Sequence, residues 1–323
     1  MDTRGGSLTA ARTVEHRIGN PPHRRARVAP EARWLTPGIA PLQGGTMVRT
    51  SEPATSSRRS ERMVTLLAIL REHGEVQLRD IATTLGTSVA TIRRDVAVLA
   101  EQGLLIRTHG GARSTGPDGE LPVNLRDGRH HQAKQAIART VVAELPRGRH
   151  AIALTGGTTT AEVVRALHHR HDLTIVTNSV SIALEAARHG QQRVLITGGV
   201  LRSSSLELVG PLAENTFKLA NIGTAIVGCD GLSVAGGLTT HDPIEAATNH
   251  TMIRQAPRVI AVVDGSKIGQ VTLAKMAETK DIDVLITDDT ADAREISRIR
   301  SLGVTVRIVT DPDCPPDPKA KTS

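Results

Sequence analysis

The clearest pattern along the chain is a series of three short segments in which apolar residues recur at helical spacing. They cover residues 58–73, 78–85 and 88–102, and the turn Leu85-Gly86-Thr87 separates the last two. Two short amphipathic helices joined by a tight turn predict a helix-turn-helix. Residues 104–113 follow with a glycine pair at 110–111, which predicts a two-stranded β-hairpin, or wing.

The third helix carries two adjacent arginines away from its apolar stripe. That stripe consists of Val89, Ile92, Val96 and Leu99. Arg93 and Arg94 therefore lie on the outward-facing, N-terminal half, the half that a helix-turn-helix protein places in the major groove. Arginine can bind guanine or a phosphate through two parallel hydrogen bonds. We predict contacts with double-stranded DNA by Ser88, Thr91, Arg93, Arg94, Arg107, His109 and Arg113.

The alternative interpretation is that the two arginines lie on an ordinary solvent-exposed helix face and bind nothing. Their position after a tight turn and before a basic hairpin favours DNA binding instead. The neighbouring Asp95 has two open interpretations: it orients a nearby arginine, or it is an ordinary exposed carboxylate.

From residue 132 to residue 310, short β-branched runs alternate with helical segments. This alternation predicts an α/β domain with a mostly parallel, Rossmann-like sheet covered by helices on both faces. The predicted strands are residues 151–154, 173–177, 193–197, 223–227, 258–263, 284–287 and 304–309. The predicted helices are residues 132–145, 159–169, 181–188, 211–219, 243–255 and 291–302.

Small, hydroxylic and charged residues follow the first five predicted strands. Ligands of open α/β sheets bind beyond the carboxyl ends of the strands. A glycine-rich turn before a helix lets the backbone approach a phosphate, Lys267 supplies a counter-charge, and Asp230 can accept from sugar hydroxyls. Each feature has a plainer interpretation as a turn or a helix cap. Their convergence predicts a site for a phosphorylated sugar formed by Gly157, Thr158, Thr159, Thr160, Asn178, Ser179, Gly199, Arg202, Asp230 and Lys267.

The positive charge is concentrated in the first third of the 323 residues. Residues 1–113 contain 17 Lys and Arg against 10 Asp and Glu, whereas residues 114–323 contain 23 of each. A basic module joined to a neutral body is typical of a DNA-binding protein with a separate sensing domain. With one Trp, one Phe and no Tyr, the chain lacks the aromatic platforms of single-stranded nucleic acid binders.

The two cysteines, Cys229 and Cys314, are far apart and indicate neither a disulfide framework nor a zinc site, as expected in a reducing cytoplasm. The histidines at 168, 169 and 171, and at 130 and 131, are interpreted as exposed, so we predict neither a metal site nor a cofactor. No apolar run reaches membrane-spanning length, and the N-terminus lacks the apolar region of a signal peptide.

Composition sets the expected boundaries of the domains. The composition of residues 1–57, which is rich in Arg, Pro, Gly, Ser and Thr, predicts a disordered basic tail, unless Met47 is the true translation start. The winged helix-turn-helix domain covers 58–113, a linker 114–131 and the sensing domain 132–310. Residues 311–323 predict a second disordered tail.

Ordered motifs over most of the chain resemble those of the DeoR family of bacterial transcriptional regulators. In the DNA-binding part they are Glu61-Arg62, Thr91-Ile92-Arg93-Arg94-Asp95, Gly103-Leu104 and His109-Gly110-Gly111-Ala112. In the C-terminal part they are Gly157-Thr158-Thr159-Thr160, Thr177-Asn178-Ser179, Gly198-Gly199, Gly210-Pro211, Gly236-Gly237-Leu238-Thr239-Thr240 and Ser266-Lys267.

The resemblance implies a C-terminal effector domain similar in fold to ribose-5-phosphate isomerase. It also implies sensing of phosphorylated sugars or related intermediates and repression of the operon that consumes them. The sequence departs from the family pattern at Thr155, usually an acidic residue, at Cys229, often Ala, and at Asn249, often a basic residue. The first departure bears on the identity of the effector, and the third on a phosphate or structural contact.

Two function classes fit these residues. In the first, a repressor that is at least a dimer binds operator half-sites and is released by a sugar phosphate. In the second, an active sugar-phosphate isomerase is fused to a DNA-binding domain. Isomerisation needs a general base and an acid at the substrate carbon. Asp230 and Lys267 are candidates, but the chain lacks the denser cluster of acids and the Lys-Gly-Gly motif that the isomerases carry, so we favour the regulator.

Overall fold

The computed structural model describes residues 53–115, 120–126, 130–188 and 192–310 of the chain. The predicted C-terminal tail and most of the predicted N-terminal tail lie outside these ranges. Residues 53–57, expected to belong to the tail, instead form the start of the first helix. Proline at the first helical position is compatible with a helix because its missing N–H would have no helical partner.

The N-terminal domain is a winged helix-turn-helix. Its elements are α1 (Pro53–His73), β1 (Glu75–Gln77), α2 (Leu78–Thr84), α3 (Val89–Glu101), β2 (Leu105–Arg107) and β3 (Gly111–Ser114). The predicted two-stranded wing is part of a three-stranded antiparallel sheet, because β1 pairs with β3 on the side opposite β2. Leu66, Leu70, Ile81, Ile92 and Leu99 are fully buried in its core.

The predicted linker contains a short helix, α4 (Val123–Arg126), that contacts both domains. The side chain of Leu125 is buried in the core of the winged helix domain. The backbone N–H of Val123 donates to the carbonyl of Ser204 in the C-terminal domain at 2.9 Å. The described part of this segment is therefore a packed connection between the two domains.

The C-terminal domain has a seven-stranded, fully parallel sheet. Its strands are β4 (His150–Leu154), β5 (Leu173–Thr177), β6 (Arg193–Ile196), β9 (Thr224–Val227), β12 (Val259–Val262), β14 (Val284–Asp288) and β15 (Thr305–Val309). They lie in the order β15-β14-β12-β9-β4-β5-β6. All seven predicted strands are confirmed to within one residue at each end.

Helices cover both faces of this sheet, as predicted. They are α5 (His131–Glu144), α6 (Thr158–Ala166), α7 (Val180–Ala187), α8 (Pro211–Leu219), α9 (Pro243–Gln255) and α10 (Ala293–Ser301). Along β4, Ile152 and Leu154 join one apolar cluster with Ile137 of α5, whereas Ala153 joins the other with Phe217 of α8. This alternation is the period of two of a strand buried on both faces.

Short antiparallel strands at the carboxyl edge of the sheet were not predicted. They form the hairpin β7 (Val200–Arg202) with β8 (Glu207–Val209), and the small sheet β10 (Gly231–Ser233), β11 (Gly237–Thr240) and β13 (Ala274–Ala277). At three or four residues each, they are too short to show a recognisable periodicity.

Candidate nucleic-acid interface and ligand cavity

Helix α3 exposes to solvent the two arginines that are predicted to contact DNA bases. Ser88 caps the helix: its Oγ accepts a hydrogen bond from the backbone N–H of Thr91 at 3.2 Å. Ile92 and Val96 are buried beneath the helix, and Arg93 and Arg94 are exposed. This geometry leaves both guanidinium groups available to base edges and phosphates of a duplex.

The wing places its three predicted phosphate contacts on the surface. Arg107 ends β2, Arg113 lies in β3, His109 lies in the turn between them, and all three side chains are exposed. Gly110 has a φ of +77°, a conformation that favours glycine in the tight turn. The wing thus extends the basic surface of α3.

Of the two interpretations of Asp95, the exposed carboxylate is wrong. Its carboxylate is buried, with the side chain 2% exposed, and accepts from Nε of Arg62 at 2.7 Å and of Arg59 at 3.3 Å. It therefore orients arginines, but those of α1 rather than its neighbours on α3. This ion pair fixes the reading helix against α1.

We expect Asp95→Ala to lower the free energy of unfolding of the winged helix domain by about 1–3 kcal/mol, because Arg62 is left half-buried without its partner. Arg59→Ala is the matched control. The Arg59 side chain is 49% exposed, and removal of an exposed ion pair changes stability by about 0–1 kcal/mol. Urea unfolding followed by circular dichroism measures both variants. Equal effects would contradict the anchoring role of Asp95.

A cavity of about 1050 Å³ lies at the carboxyl edge of the parallel sheet. All strands are parallel, but the direction in which successive strands are added to the sheet reverses between the neighbours β4 and β9. From β4 the chain proceeds outward through β5 and β6, and from β9 it proceeds outward on the other side through β12, β14 and β15. Such a reversal opens a crevice between the two strand ends. The loops that follow these two strands contact each other here, through a hydrogen bond that Gly228 N–H donates to Thr155 Oγ1 at 2.9 Å. Of the predicted ligand-binding residues, the cavity is lined by Gly157, Thr158, Thr159, Thr160, Arg202, Asp230 and Lys267.

The glycine-threonine loop brings the N-terminus of α6 to the cavity wall. Gly157 precedes the helix with a φ of +123°, which glycine adopts without strain. A Cβ on Gly156 would lie 2.6 Å from a carboxylate oxygen of Glu207, so a larger residue does not fit. The first N–H groups of a helix have no partner within the helix and carry a partial positive charge. This wall is suited to an anion.

Asp230 lies at the centre of a charged group that also lines the cavity. Its Oδ1 accepts from Arg126 at 2.8 Å and from Lys267 Nζ at 3.1 Å, and its Oδ2 accepts from Thr240 Oγ1 at 3.2 Å. Burial raises the pKa of Asp230, but the charges of Arg126 and Lys267 outweigh it and hold the pKa below its usual value. Asp230 is thus an ionised acceptor facing the cavity.

Three carboxylates surround Arg202, one from the linker and two from α9 and its N-cap. It donates to Glu120 of the linker and to Glu245 of α9 at 3.0 Å each, and its Nε lies 3.3 Å from Asp242. The hydrogen bond to Glu120 is the largest influence on the guanidinium, and the pKa of Arg202 is raised. The side chain lines the cavity and is 18% exposed.

Three predicted ligand residues lie beside the cavity and not on its wall. Ser179 caps α7 by accepting from Ile182 N–H at 3.4 Å. Asn178 is fully buried and donates to Glu207 at 3.2 Å. Gly199, with a φ of +140°, lets its strand approach Val209, whose carbonyl oxygen lies 2.8 Å from where a Cβ would be. This placement supports structural roles and does not support their predicted ligand contacts.

Several charged residues of the cavity were missed by sequence reasoning, among them Glu120, Arg126, Glu207 and Glu245. The first two belong to the predicted linker, whose turn-forming residues gave no sign of a site. Glu207 is fully buried in the unpredicted hairpin, where its carboxylate accepts from Gly156 N–H, Asn178 and Asn249. Burial, and then the charge of Glu245, raise the pKa of Glu207 to about 8.

Metal ligation and membrane insertion find no support in the described part of the chain. Its residues contain no group of three or more His, Cys, Asp or Glu side chains that could hold a metal ion. In the same ranges, no helix is long and apolar enough to cross a membrane.

Two family profiles match the chain. The DeoR-like helix-turn-helix domain matches residues 62–117, and the DeoR C-terminal sensor domain matches residues 129–289. The transcriptional regulator GlpR of Haloferax volcanii is 35% identical over 76% of this chain and 96% of its own length. The transcriptional repressor AccR of Agrobacterium fabrum is 33% identical, covering 71% and 89%. The glycerol-3-phosphate regulon repressor of Escherichia coli K12 is 29% identical, covering 72% and 91%.

These relatives extend over both domains and are named as transcriptional regulators or repressors, which sets aside the isomerase alternative. The two matching profiles agree with the winged helix-turn-helix and with the parallel α/β domain that follows it in the chain. The chain belongs to the DeoR family of DNA-binding transcriptional regulators.

Proposed function

We propose that this regulator represses an operon for sugar catabolism and leaves its DNA when a phosphorylated sugar binds in the cavity. The observation that carries this proposal is the composition of the cavity wall. The N-terminus of α6 lines the same cavity as a group that contains Lys267, Arg126 and Asp230. Helix N-termini and cations bind phosphate, whereas an ionised carboxylate accepts from sugar hydroxyls. The name of the relative from a glycerol-3-phosphate regulon supports a phosphorylated ligand.

DNA binding is assigned to α3, its N-cap and the wing, through Ser88, Thr91, Arg93, Arg94, Arg107, His109 and Arg113. We infer that the functional form is at least a dimer in the cytoplasm, because helix-turn-helix proteins bind repeated half-sites as symmetric oligomers. The ligand then changes the spacing of the reading helices. It can do so only through its different affinities for the two arrangements.

Lys267→Ala tests the effector site. Lys267 is held at the cavity by Asp230, and removal of a charge-assisted hydrogen bond of about 1.5–3 kcal/mol predicts binding weaker by roughly 10- to 100-fold. Calorimetry with a panel of sugar phosphates measures affinity, and fluorescence anisotropy with promoter DNA measures operator binding. We expect weaker effector binding and intact operator binding.

Lys218→Ala is the matched control, since Lys218 is 53% exposed on α8 and forms an ion pair with Glu214 of the same helix. It should leave both affinities unchanged. Release of DNA by Lys267→Ala without any ligand would show that Lys267 does not act through effector binding, and the assignment of the site would be wrong.

A further inference from the structure

Glu120 occupies a position in the cavity that its place in the chain does not explain. It lies six positions beyond Ser114, the last residue of the wing strand β3. Its carboxylate nevertheless enters the cavity of the other domain and its side chain is only 11% exposed. It is the one carboxylate at this charged group that the described part of the linker contributes.

The contacts of Glu120 are those expected of a bound anion. Its Oε1 accepts from Arg126 at 2.9 Å and from Arg202 Nη1 at 3.0 Å, and its Oε2 accepts from Arg202 Nη2. Arg202 thus holds the carboxylate with two parallel hydrogen bonds, the geometry by which arginine also holds phosphate. Burial raises the pKa of Glu120, but the hydrogen bond and charge of Arg202, with the charge of Arg126, bring it below its usual value.

The other carboxylate partners of the two arginines belong to the sensor domain itself. Asp230 remains on Arg126, and Glu245 and Asp242 remain on Arg202 when Glu120 is removed. Both guanidinium groups would therefore stay in place with their shared site open. A phosphate, which carries up to two negative charges and three acceptor oxygens, can use that site better than a carboxylate.

We propose that Glu120 is an internal competitor that holds the arginine pair Arg126–Arg202 until the phosphate group of the effector displaces it. This inference rests on the proposed effector site and adds where the phosphate binds and what it displaces. Displacement frees the linker at residue 120 from the sensor domain, while Arg126 stays paired with Asp230. Because Leu125 of the same segment packs in the winged helix core, the change at the cavity reaches the DNA-binding domain through covalent continuity.

Glu120→Gln in the full-length protein tests the competition, because it keeps the shape of the side chain and removes its charge. With inorganic phosphate and, separately, ribose 5-phosphate as probes in calorimetry, we expect the dissociation constant of each to fall about tenfold, which corresponds to about 1.4 kcal/mol. Glu214→Gln is the matched control. It removes the same charge from α8, where Glu214 pairs with Lys218, and should leave both constants unchanged.

A second measurement needs no substitution. Ribose 5-phosphate should increase cleavage of the wild-type chain after Glu120 by a glutamate-specific protease, since a displaced side chain becomes accessible. Cleavage of an unstructured peptide with the same sequence should not change. Bound ribose 5-phosphate that leaves cleavage after Glu120 unaltered would overturn the displacement.

The outcomes separate the two proposals. If the wild-type chain binds a sugar phosphate and Lys267→Ala weakens it, but Glu120→Gln binds no more tightly, the effector site stands and the competition is wrong. Weaker binding by Glu120→Gln would show that Glu120 contacts the ligand directly, which also overturns it. If no sugar or inorganic phosphate binds either protein, both proposals fail.

Discussion

Replacing Arg93 and Arg94 together with alanine should reduce operator affinity by at least about 30-fold at moderate ionic strength. A bidentate arginine contact with a base is worth about 1–3 kcal/mol, and each 1.4 kcal/mol is about tenfold in affinity. Both side chains are exposed on α3, while Ile92 and Val96 beneath them carry the packing. The double variant should therefore lose DNA binding without losing stability.

Fluorescence anisotropy with DNA from the promoter of its own gene measures this effect. Arg294→Ala with Arg300→Ala is the matched control, because these exposed residues of α10 carry the same charge in the sensor domain. The salt dependence adds a second criterion. The slope of affinity against salt falls by about one for each phosphate that the variant no longer touches, whereas removal of a base contact changes sequence preference. A double variant that keeps wild-type operator affinity would remove α3 from the interface.

Protein stability should fall as the pH rises toward about 8, and Glu207→Gln should remove most of this dependence. Burial and the charge of Glu245 raise the pKa of Glu207 from 4.5 to about 8. A carboxyl group with a raised pKa binds its proton more tightly in the folded protein than in the unfolded chain. Its favourable contribution is complete below the unfolded pKa of 4.5 and is lost as the pH passes through about 8.

The expected effect is on the order of a few kcal/mol, which makes it the largest pH-dependent contribution we expect from the cavity. Glutamine resembles the protonated acid, since it has one acceptor and one donor group. Asn178 and Asn249 both donate to Oε2 of Glu207. Reversal of both side-chain amides directs their oxygens at the new donor and keeps a hydrogen bond between the two residues. Glu245 has a pKa raised by burial as well, so some dependence should remain.

Urea unfolding of both proteins across this pH range gives the comparison. Titrating groups that do not interact with Glu207 contribute equally to both proteins and cancel in the difference. We expect the two stabilities to agree at low pH and Glu207→Gln to be the more stable protein near pH 8. Parallel stability curves would mean that Glu207 is ionised in the folded protein throughout.

The elements that carry function were largely predictable because they have local signals. The stripe at Val89, Ile92, Val96 and Leu99 identified the reading helix, and Ser88 marked its start, as the structure confirms. The seven parallel strands followed from β-branched runs whose burial on both faces leaves a continuous apolar pattern. Their common edge also predicted the loop at Gly157 and the side chains of Arg202, Asp230 and Lys267 on one cavity.

The composition of the cavity depended on pairs that no local pattern contains. Arg126 reaches Asp230 across 104 positions of sequence, and Arg202 reaches Glu120 across 82. Asp95 was ambiguous because its partners lie on another helix. Periodicity reports which face of an element is buried, so the sequence by itself determined the longer helices and strands, their order and the helix that is proposed to bind DNA. Which carboxylates and arginines meet was decided only by tertiary packing, because burial of a charge is tolerated where an opposite charge from elsewhere in the chain is brought to it.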